Sequence, residues 1–280
     1  MSMTASFNGH SLDDGGVSTP LVSIIMPCYN ASQFIHEAIE SVRAQTVENW
    51  ELLICDDSST DESPSIISLF ASRDSRIKCI PPKGKGAADA RNSCLDVARG
   101  RYIAFLDSDD LWYPNKLEQQ LDLMLSEGVH FCYSNYDCID EYGKALPPVF
   151  SPRNLTFGAL LYSNFIGCLT VVYDASFFGK VRQPLIRKRN DYALWLSMLG
   201  ASRDASAQSV PESLGVYRVN SYGLSSKKLD LIKYYWLCVR RYGGVSRLNA
   251  CYLMICYLVI IMTKKRLPRF YNLLIRIGDR

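Results

Sequence analysis

The segment Gly100-Arg-Tyr-Ile-Ala-Phe-Leu-Asp-Ser-Asp-Asp110 joins a short apolar run to three carboxylates within four residues. Its apolar part, Tyr102–Leu106, predicts a buried β-strand, because strands covered on both faces read as continuous hydrophobic runs. In open α/β sheets, ligands bind outside the carboxyl ends of the strands. Asp107, Asp109 and Asp110 follow such an end, and they therefore indicate a ligand site at this edge of the sheet.

Upstream of this segment, apolar runs alternate with stretches of helical periodicity. Three further strands are predicted at Val22–Met26, Glu51–Cys55 and Arg76–Ile80. Helices are predicted at 34–42, 64–71, 87–98 and from Pro114 onward. Asn30 and Gln33 match an N-x-x-Q capping box, so Asn30 is expected to cap the first helix. The alternation as a whole predicts a doubly wound α/β fold.

Composition divides the chain into three parts. Residues 1–19 are rich in Ser, Gly and Asp and lack periodicity, so a flexible tail is expected. Residues 20–226 carry the alternating pattern and are expected to form the main α/β domain. Its later part adds two strands and a helix, at Val129–Cys138, Cys168–Tyr173 and Asp191–Leu199. Residues 227–280 are expected to form a helical segment.

Overall composition excludes several classes of protein. The 280 residues are 48% hydrophobic and 21% charged, as in a globular protein and unlike a collagen or a disordered chain. The net charge of +3 excludes a strongly basic protein, so no nucleic-acid partner is expected. The ten cysteines show neither C-x-x-C spacing nor Cys/His spacing for zinc. Since residues 1–19 also lack the pattern of a signal peptide, reduced thiols and a cytoplasmic location are expected.

The acidic cluster after Leu106 suggests cation chemistry. Three neighbouring carboxylates repel one another unless a cation lies among them. Mg²⁺ in proteins commonly takes one or two carboxylates together with substrate phosphates. The cluster therefore suggests a metal-bridged diphosphate, although a solvated turn would use the same residues. A haloacid-dehalogenase-type phosphotransferase, with Asp107 as nucleophile, is disfavoured because that motif normally follows the first strand of the fold.

Five segments follow one another in a characteristic order and spacing. They are Val22-Ser-Ile-Ile-Met-Pro-Cys-Tyr-Asn30, Ala38-Ile-Glu-Ser-Val-Arg-Ala-Gln-Thr46, Glu51-Leu-Leu-Ile-Cys-Asp-Asp-Ser-Ser-Thr-Asp61, Ala90-Arg-Asn92 and the opening segment 100–110, with Pro114 beyond it. Over about residues 20–225 the chain thereby resembles glycosyltransferase family 2, inverting enzymes that include bacterial O-antigen and capsule transferases. The resemblance implies a GT-A fold, a Rossmann-like doubly wound sheet, and sugar transfer from a nucleotide diphosphate donor.

The resemblance also implies roles for individual positions. The nucleotide-sugar contacts that it implies are Pro27, Tyr29, Asn30, Asp57, Arg91, Asp107 and Ser108. Within this set, the carboxylate of Asp57 would hydrogen-bond the uracil of a UDP-sugar. Asp109 and Asp110 would hold Mn²⁺ or Mg²⁺. From the residues alone, Asp57 could instead end a turn, and Arg91 could lie on the surface.

A late acidic motif, Asp191-Tyr-Ala-Leu-Trp195, resembles the family's general base at the start of a helix. An acceptor hydroxyl must lose a proton as it attacks the donor sugar, and a carboxylate can accept that proton. A helix-start aspartate stabilised by the helix dipole would look the same. Two residues depart from the family pattern: Asn190 stands where Glu is common, and Asn220 stands where His is common. Asn220 therefore puts a histidine contact to metal or phosphate in doubt.

Other functional classes fit the motifs less well. No G-x-x-x-x-G-K-[ST] or G-x-G-x-x-G pattern is present, which disfavours P-loop and nicotinamide enzymes. The Q-x-x-R-W motif of processive synthases is not apparent, so a single-addition transferase is expected. A nucleotide-sugar pyrophosphorylase remains an alternative, and so does a catalytically silent subunit of a transferase complex.

The last part of the chain changes in charge and in hydropathy. Residues 227–280 hold 12 Lys or Arg and 2 Asp or Glu, a net charge of +10, and the remaining residues carry −7. Residues 250–262 form a run of thirteen apolar residues, shorter than the roughly 20 that a bilayer core requires. We expect peripheral association with anionic lipid on the cytoplasmic face of the inner membrane, where a lipid-linked or oligosaccharide acceptor would be met. A core helix followed by a solvated basic end is the alternative.

Overall fold

The computed structural model describes residues 11–12, 18–202, 205–219 and 228–267. These residues form one mixed α/β unit around a ten-stranded sheet, with a separate two-stranded pair near the start. That pair lies inside the segment expected to be a flexible tail, whose remaining residues 1–10 and 13–17 lie outside the described residues. Asn220 also lies outside them.

The elements occur in the following order along the chain. The strands are β1 Ser11–Leu12, β2 Ser18–Thr19, β3 Val22–Cys28, β4 Trp50–Asp56, β5 Ile77–Cys79, β6 Tyr102–Phe105, β7 Leu111–Trp112, β8 Phe131–Asp140, β9 Ala145–Val149, β10 Asn154–Leu155, β11 Val172–Asp174 and β12 Ala207–Val219. The helices are α1 Ile35–Arg43, α2 Ser63–Arg73, α3 Ala87–Val97, α4 Lys116–Ser126, α5 Phe157–Leu160, α6 Ala175–Phe178, α7 Asn190–Ala201, α8 Lys228–Arg241 and α9 Arg247–Arg266.

The large sheet is parallel in its first half and mixed in its second. Its main path runs β10-β12-β8-β11-β6-β3-β4-β5, with β7 paired to β12 and β9 paired to β8. Strands β6, β3, β4 and β5 are mutually parallel, as the alternation of strands and helices predicts. The short β11 is antiparallel to both β6 and β8, and it joins the parallel half to the rest. The predicted α/β fold class is confirmed.

Both faces of the sheet are covered, which explains the continuous apolar strands. Successive side chains of a strand point to opposite faces. Ile24 and Met26 of β3 therefore pack in one hydrophobic cluster with helix α1, whereas Ile25 packs in a second cluster. The second cluster contains Trp195 of helix α7, which is fully buried. The central strands are thus fixed from both sides, and their carboxyl ends form a rigid edge.

Two local sequence predictions are corrected by the structure. Asn30 does not cap the first helix, because α1 begins at Ile35 and Asn30 lies in a left-handed turn with φ +47°. Its side-chain oxygen accepts a hydrogen bond from the Thr60 backbone N–H at 2.8 Å. The strand predicted at Cys168–Tyr173 is a 3₁₀ turn, Cys168–Thr170, followed by β11.

Helix α9 is longer than the apolar run that predicts it. Within the described part of the chain, it is the one helix whose length and composition would suit a membrane span, over Arg247–Lys264 at a mean hydropathy of 1.4. Ala250, Leu253 and Tyr257 form its buried stripe. Large apolar side chains that it exposes include Leu248, Tyr252, Ile255, Val259 and Met262. Only 17% of that window is buried, so most of this helix faces away from the protein.

Candidate active site

Three loops meet at the carboxyl edge of the parallel strands. They are the turn after β3, the Asp56-Asp57 turn after β4 and the acidic turn after β6, and the parallel pairing of these strands brings their ends together. The Asp57 backbone N–H donates to the Cys28 carbonyl at 2.8 Å, which joins the first two loops directly. Sequence reasoning predicts this edge as the ligand site, and the parallel topology brings the three loops together there, at what is called the cleft below.

A chain of hydrogen bonds fixes the conformation of the loop after β3. The Asn30 backbone N–H donates to the Ser59 hydroxyl at 2.8 Å, and Ser59 in turn donates to the Asp56 carboxylate. Pro27 is buried within β3, whereas the Tyr29 side chain is 62% exposed. An exposed aromatic ring beside a cleft can stack on a planar ligand.

Asp57 lies between two loops of the cleft. Its Oδ2 atom accepts the backbone N–H of Gly86 at 2.7 Å, and Gly86 precedes the first residue of α3. Gly86 has φ +91°, a conformation that glycine adopts without the strain of a side chain. The carboxylate thereby ties the α3 entrance to the β4 end, and it stays partly exposed.

Arg91 on α3 forms a buried ion pair with Asp107 at the end of β6. The arginine is 5% exposed, and its guanidinium donates to the Asp107 carboxylate. Burial alone would lower the pKa of Arg91, but the Asp107 carboxylate outweighs burial and the pKa is raised. Arg91 therefore lies inside the site, and the surface position that the sequence leaves open is excluded.

Gln183 is a site residue that sequence reasoning missed. Its Oε1 atom accepts from Arg91 at 3.3 Å, and its backbone is held at both ends by Asn92, at 2.7 and 3.0 Å. Gln183 lies in the loop before α7, 92 positions from Arg91 along the chain. No local motif marks such a residue, because only the fold brings the two segments together.

The side chains of Asp109 and Asp110 are more buried than those of a solvated turn would be. Burial first, and then the neighbouring Asp107 carboxylate, raises the pKa of Asp109 to about 6. The pKa of Asp110 is raised further by the same two causes together with Asp109. Asp110 is 1% exposed, and its Oδ1 atom accepts the backbone N–H of Arg218 at 2.9 Å. Ser108 between them is also buried.

Arg218 on β12 joins the acidic turn Asp107–Asp110 to helix α1. Its Nε atom donates to the Asp109 carbonyl at 3.0 Å, and its Nη2 atom donates to Glu37 of α1 at 2.9 Å. The guanidinium lies 4.4 Å from the centre of the Phe34 ring. The sequence analysis does not single out Arg218 or Glu37 as a site residue.

The donor set fits a hard divalent ion that is shared with a ligand. Among the described residues, no group of three or more His, Cys, Asp or Glu side chains is arranged to hold a metal alone. Asp109 nevertheless offers carboxylate oxygen in a crowded acidic cluster, where a cation would relieve the repulsion. One carboxylate completed by substrate phosphates is a common arrangement for Mg²⁺.

Asp191 lies in the first turn of α7, on the other side of the cleft. Its Oδ2 atom accepts from the Asn164 side-chain amide at 3.1 Å, and its backbone N–H donates to Asn190 at 2.8 Å. Burial raises the pKa of Asp191, while Arg189 and Arg91 oppose that rise and Asp107 adds to it. Arg91 and Asp107 therefore lie close enough to Asp191 to influence its pKa.

Asn164 is a second residue that sequence reasoning missed, and it allows a test of Asp191. A hydrogen bond to the charged carboxylate favours that form, so Asn164→Ala is expected to raise the pKa of Asp191 further. The acidic limb of the kcat/KM profile should then move to higher pH. At a pH on that limb, activity should fall about threefold to tenfold, as expected for one lost hydrogen bond.

Asn154→Ala, at an exposed asparagine of β10, is the matched control for pH profiles measured on purified protein. If the acidic limb of the kcat/KM profile does not move in Asn164→Ala, Asp191 does not control that limb.

Comparison with known proteins identifies related sequences and folds. The pattern described as Glycosyl transferase family 2 matches residues 23–181. The Escherichia coli protein "UDP-Glc:alpha-D-GlcNAc-diphosphoundecaprenol beta-1,3-glucosyltransferase WfgD" is 43% identical over 217 residues, which are 77% of this chain and 84% of that protein. A second Escherichia coli protein of the same description, WfaP, is 42% identical over 216 residues, covering 76% and 83%.

Solved structures share the fold at low sequence identity. Staphylococcus aureus TarS 1–349 in complex with UDP-GlcNAc is 16% identical, with a TM-score of 0.66 over 85% of this chain and 71% of that one. The mannosyltransferase PcManGT of Pyrobaculum calidifontis, solved with GDP-Man and Mn²⁺, is 15% identical, with a TM-score of 0.62 over 98% and 84%. At these identities the likeness concerns the fold alone.

Proposed function

The chain belongs to glycosyltransferase family 2, and from this membership we propose that it transfers one sugar from a UDP-sugar to a lipid-linked acceptor, with inversion. The observation that carries the proposal is the Arg91–Asp107 ion pair beside Asp109 at the carboxyl edge of the sheet, with Asp191 near enough for Arg91 and Asp107 to influence its pKa. A nucleotide sugar and an acceptor hydroxyl can meet between these groups. The family itself favours sugar transfer over the pyrophosphorylase alternative.

The donor part of the proposal rests on the strand-end loops. In this proposal the partly exposed Asp57 carboxylate, the exposed Tyr29 ring and the left-handed Asn30 turn would contact the base of the nucleotide. The solved TarS structures contain UDP or UDP-GlcNAc on the same fold, which supports a uridine nucleotide. Arg91 and Asp107 would contact the ribose and the sugar at the floor of the cleft.

In the proposed mechanism, the residues of this chain position the donor and accept a proton. Asp109 would hold Mn²⁺ or Mg²⁺, which offsets charge on the leaving diphosphate. Arg91 holds the Asp107 carboxylate in position through their ion pair. Asp191 accepts the proton of the acceptor hydroxyl while the hydroxyl oxygen bonds to the anomeric carbon of the donor sugar. The bond from that carbon to the diphosphate oxygen breaks, UDP leaves, and the anomeric configuration inverts.

The proposed acceptor and the proposed location rest on the names of two relatives and on the exposed apolar side chains of α9. Two relatives are named for an acceptor sugar linked to diphosphoundecaprenol. The exposed apolar side of α9 and the net charge of +10 over residues 227–280 support contact with anionic lipid. We place the enzyme at the cytoplasmic face of the inner membrane, with the cleft turned toward lipid-linked sugars.

A panel assay tests the proposal. Purified protein is incubated with individual UDP-sugars and a GlcNAc-diphosphate-lipid acceptor, with Mn²⁺ or with a chelator, and products are followed by mass spectrometry. One added sugar, UDP release and loss of activity in the chelator are expected. Transfer that persists in the chelator would remove the metal role, and an absence of turnover with every donor would favour the silent-subunit alternative.

A further inference from the structure

A cation-rich loop leads directly into the helix of the proposed base. Five of the ten residues from 180 to 189 are Lys or Arg, inside a part of the chain whose net charge is −7. At one end of this loop, Arg182 pairs with Asp96 on α3, and the neighbouring Gln183 binds Arg91. The other end, residues 187–189, lies beside Asp191. One end of the loop is therefore held beside Arg91 of the proposed donor site. The other end lies beside Asp191, the proposed base, and is called the acceptor-side end below.

Arg189 is held in an unusual conformation at this acceptor-side end. Its φ of +60° is left-handed, a region that side-chain-bearing residues seldom adopt. Its guanidinium donates to the Tyr257 hydroxyl and lies 5.2 Å from the centre of the Tyr257 ring. The Nε atom of Arg189 is buried and has no hydrogen-bond partner among the described residues. A buried donor of a cation without a partner is costly unless a ligand supplies one.

Arg189 contacts a stack of three tyrosine rings. Tyr192 of α7, Tyr235 of α8 and Tyr257 of α9 follow one another, with the last two rings 3.9 Å apart and nearly parallel. Arg189 is thereby tied to α9 as well as to the helix of the base. The neighbouring Arg187 is exposed at the same end of the loop. Arg189 thus links the helix of the proposed base to α9, and Arg187 adds a second cation two residues earlier in the chain.

The chain and the Arg189–Tyr257 contact connect three kinds of group whose binding partners occur together in one kind of acceptor. They are the Asp191 carboxylate, the Arg187 and Arg189 cations and helix α9, which exposes apolar side chains. A lipid-linked sugar presents an acceptor hydroxyl, a diphosphate and a hydrocarbon chain. Guanidinium groups bind phosphate oxygens with paired, charge-assisted hydrogen bonds.

We propose that Arg187 and Arg189 bind the diphosphate of the acceptor and so place its sugar hydroxyl against Asp191. This proposal rests on the function proposed above, and it adds the acceptor subsite that selects a diphosphate-linked lipid. The two arginines would also offset the repulsion between the acceptor anion and the carboxylates of the cleft. An acceptor with the same sugar and chain but no phosphate would lack that anchor.

Three synthetic acceptors test this subsite: GlcNAc joined to one alkyl chain through a diphosphate, a monophosphate or an uncharged ether. For Arg187→Gln and for Arg189→Gln, the ratio of kcat/KM between the diphosphate and ether acceptors is expected to fall about 10- to 100-fold, as for the loss of a charged hydrogen bond. Arg189→Lys should restore part of that ratio. Arg73→Gln, which removes an exposed cation at the end of α2, is the charge-matched control and should leave the ratio unchanged.

Two results with the variants would overturn the subsite. One is an unchanged ratio in both glutamine variants, and the other is an equal loss with the diphosphate and ether acceptors, which indicates altered folding or base position. Since Arg187 is exposed, its variant should fold even if the Arg189 variant does not. A wild type that uses the diphosphate and ether acceptors equally well overturns the subsite and leaves the proposed function standing. A wild type that uses none of the three acceptors with any UDP-sugar overturns both.

Discussion

The Asp191→Asn variant is expected to lose transfer activity by about 10²- to 10⁴-fold in kcat while it still binds the donor. Asparagine keeps the shape of the side chain and can still accept the Asn164 hydrogen bond, but it cannot accept a proton. The acceptor hydroxyl would then attack without a base. Initial rates with saturating acceptor measure the loss, and calorimetric titration with UDP in the presence of Mn²⁺ measures donor-site binding.

Glu212→Gln, an exposed carboxylate of β12, is the control for this change of charge. It should retain wild-type kcat. If Asp191→Asn turns over as fast as the wild type, Asp191 is not the base, and its place at the start of α7 reflects helix stabilisation alone. If UDP binding is lost together with turnover, the cleft itself has been disturbed.

Asp109→Asn is expected to lower kcat/KM for the donor by about 10²- to 10³-fold at a fixed Mn²⁺ concentration. Asparagine removes the charge that attracts a hard divalent cation, and charge stabilisation at a leaving diphosphate is worth several kcal/mol. Higher Mn²⁺ should recover part of the activity, because the remaining ligands come from substrate phosphates. The half-saturating Mn²⁺ concentration, measured by titration of initial rates, gives the size of the effect.

Asp110→Asn is the comparison that separates the two neighbouring carboxylates. Asp110 is almost fully enclosed and accepts a hydrogen bond from the Arg218 backbone, which asparagine can also do. We therefore expect a smaller change in the Mn²⁺ requirement than for Asp109→Asn. The reverse order would identify Asp110 as the principal metal ligand, and an unchanged Mn²⁺ requirement in both variants would contradict a metal at this turn.

Part of this architecture follows from local pattern. The run Tyr102–Leu106 predicts a buried strand, and β6 is found there because strands covered on both faces need apolar side chains throughout. The order of motifs predicts glycosyltransferase family 2 and a GT-A fold, and both predictions are confirmed. The roles of Asp109 and Asp191 stay predictions that the variants above address, and the role of Asp57 also stays a prediction.

Local pattern failed where a distant partner decides the outcome. Asn30 reads as a helix cap, yet its side chain binds Thr60, 30 positions away. The run of thirteen apolar residues marks only the middle of a longer helix, since α9 extends over Arg247–Arg266 and its polar ends are helical too. In each case the sequence window is shorter than the structural unit that it belongs to.

The amino-acid sequence alone thus determined the family, the alternation of strands and helices and the acidic edge of the sheet. These depend on hydrophobic periodicity and on residues that follow one another in the chain. Only the tertiary structure decided which side chains meet: Gln183 with Arg91, Arg218 with the acidic turn, and Tyr257 with Arg189. The physical reason is that contacts between distant segments arise from strand pairing and helix packing, and no local periodicity records which of them come together.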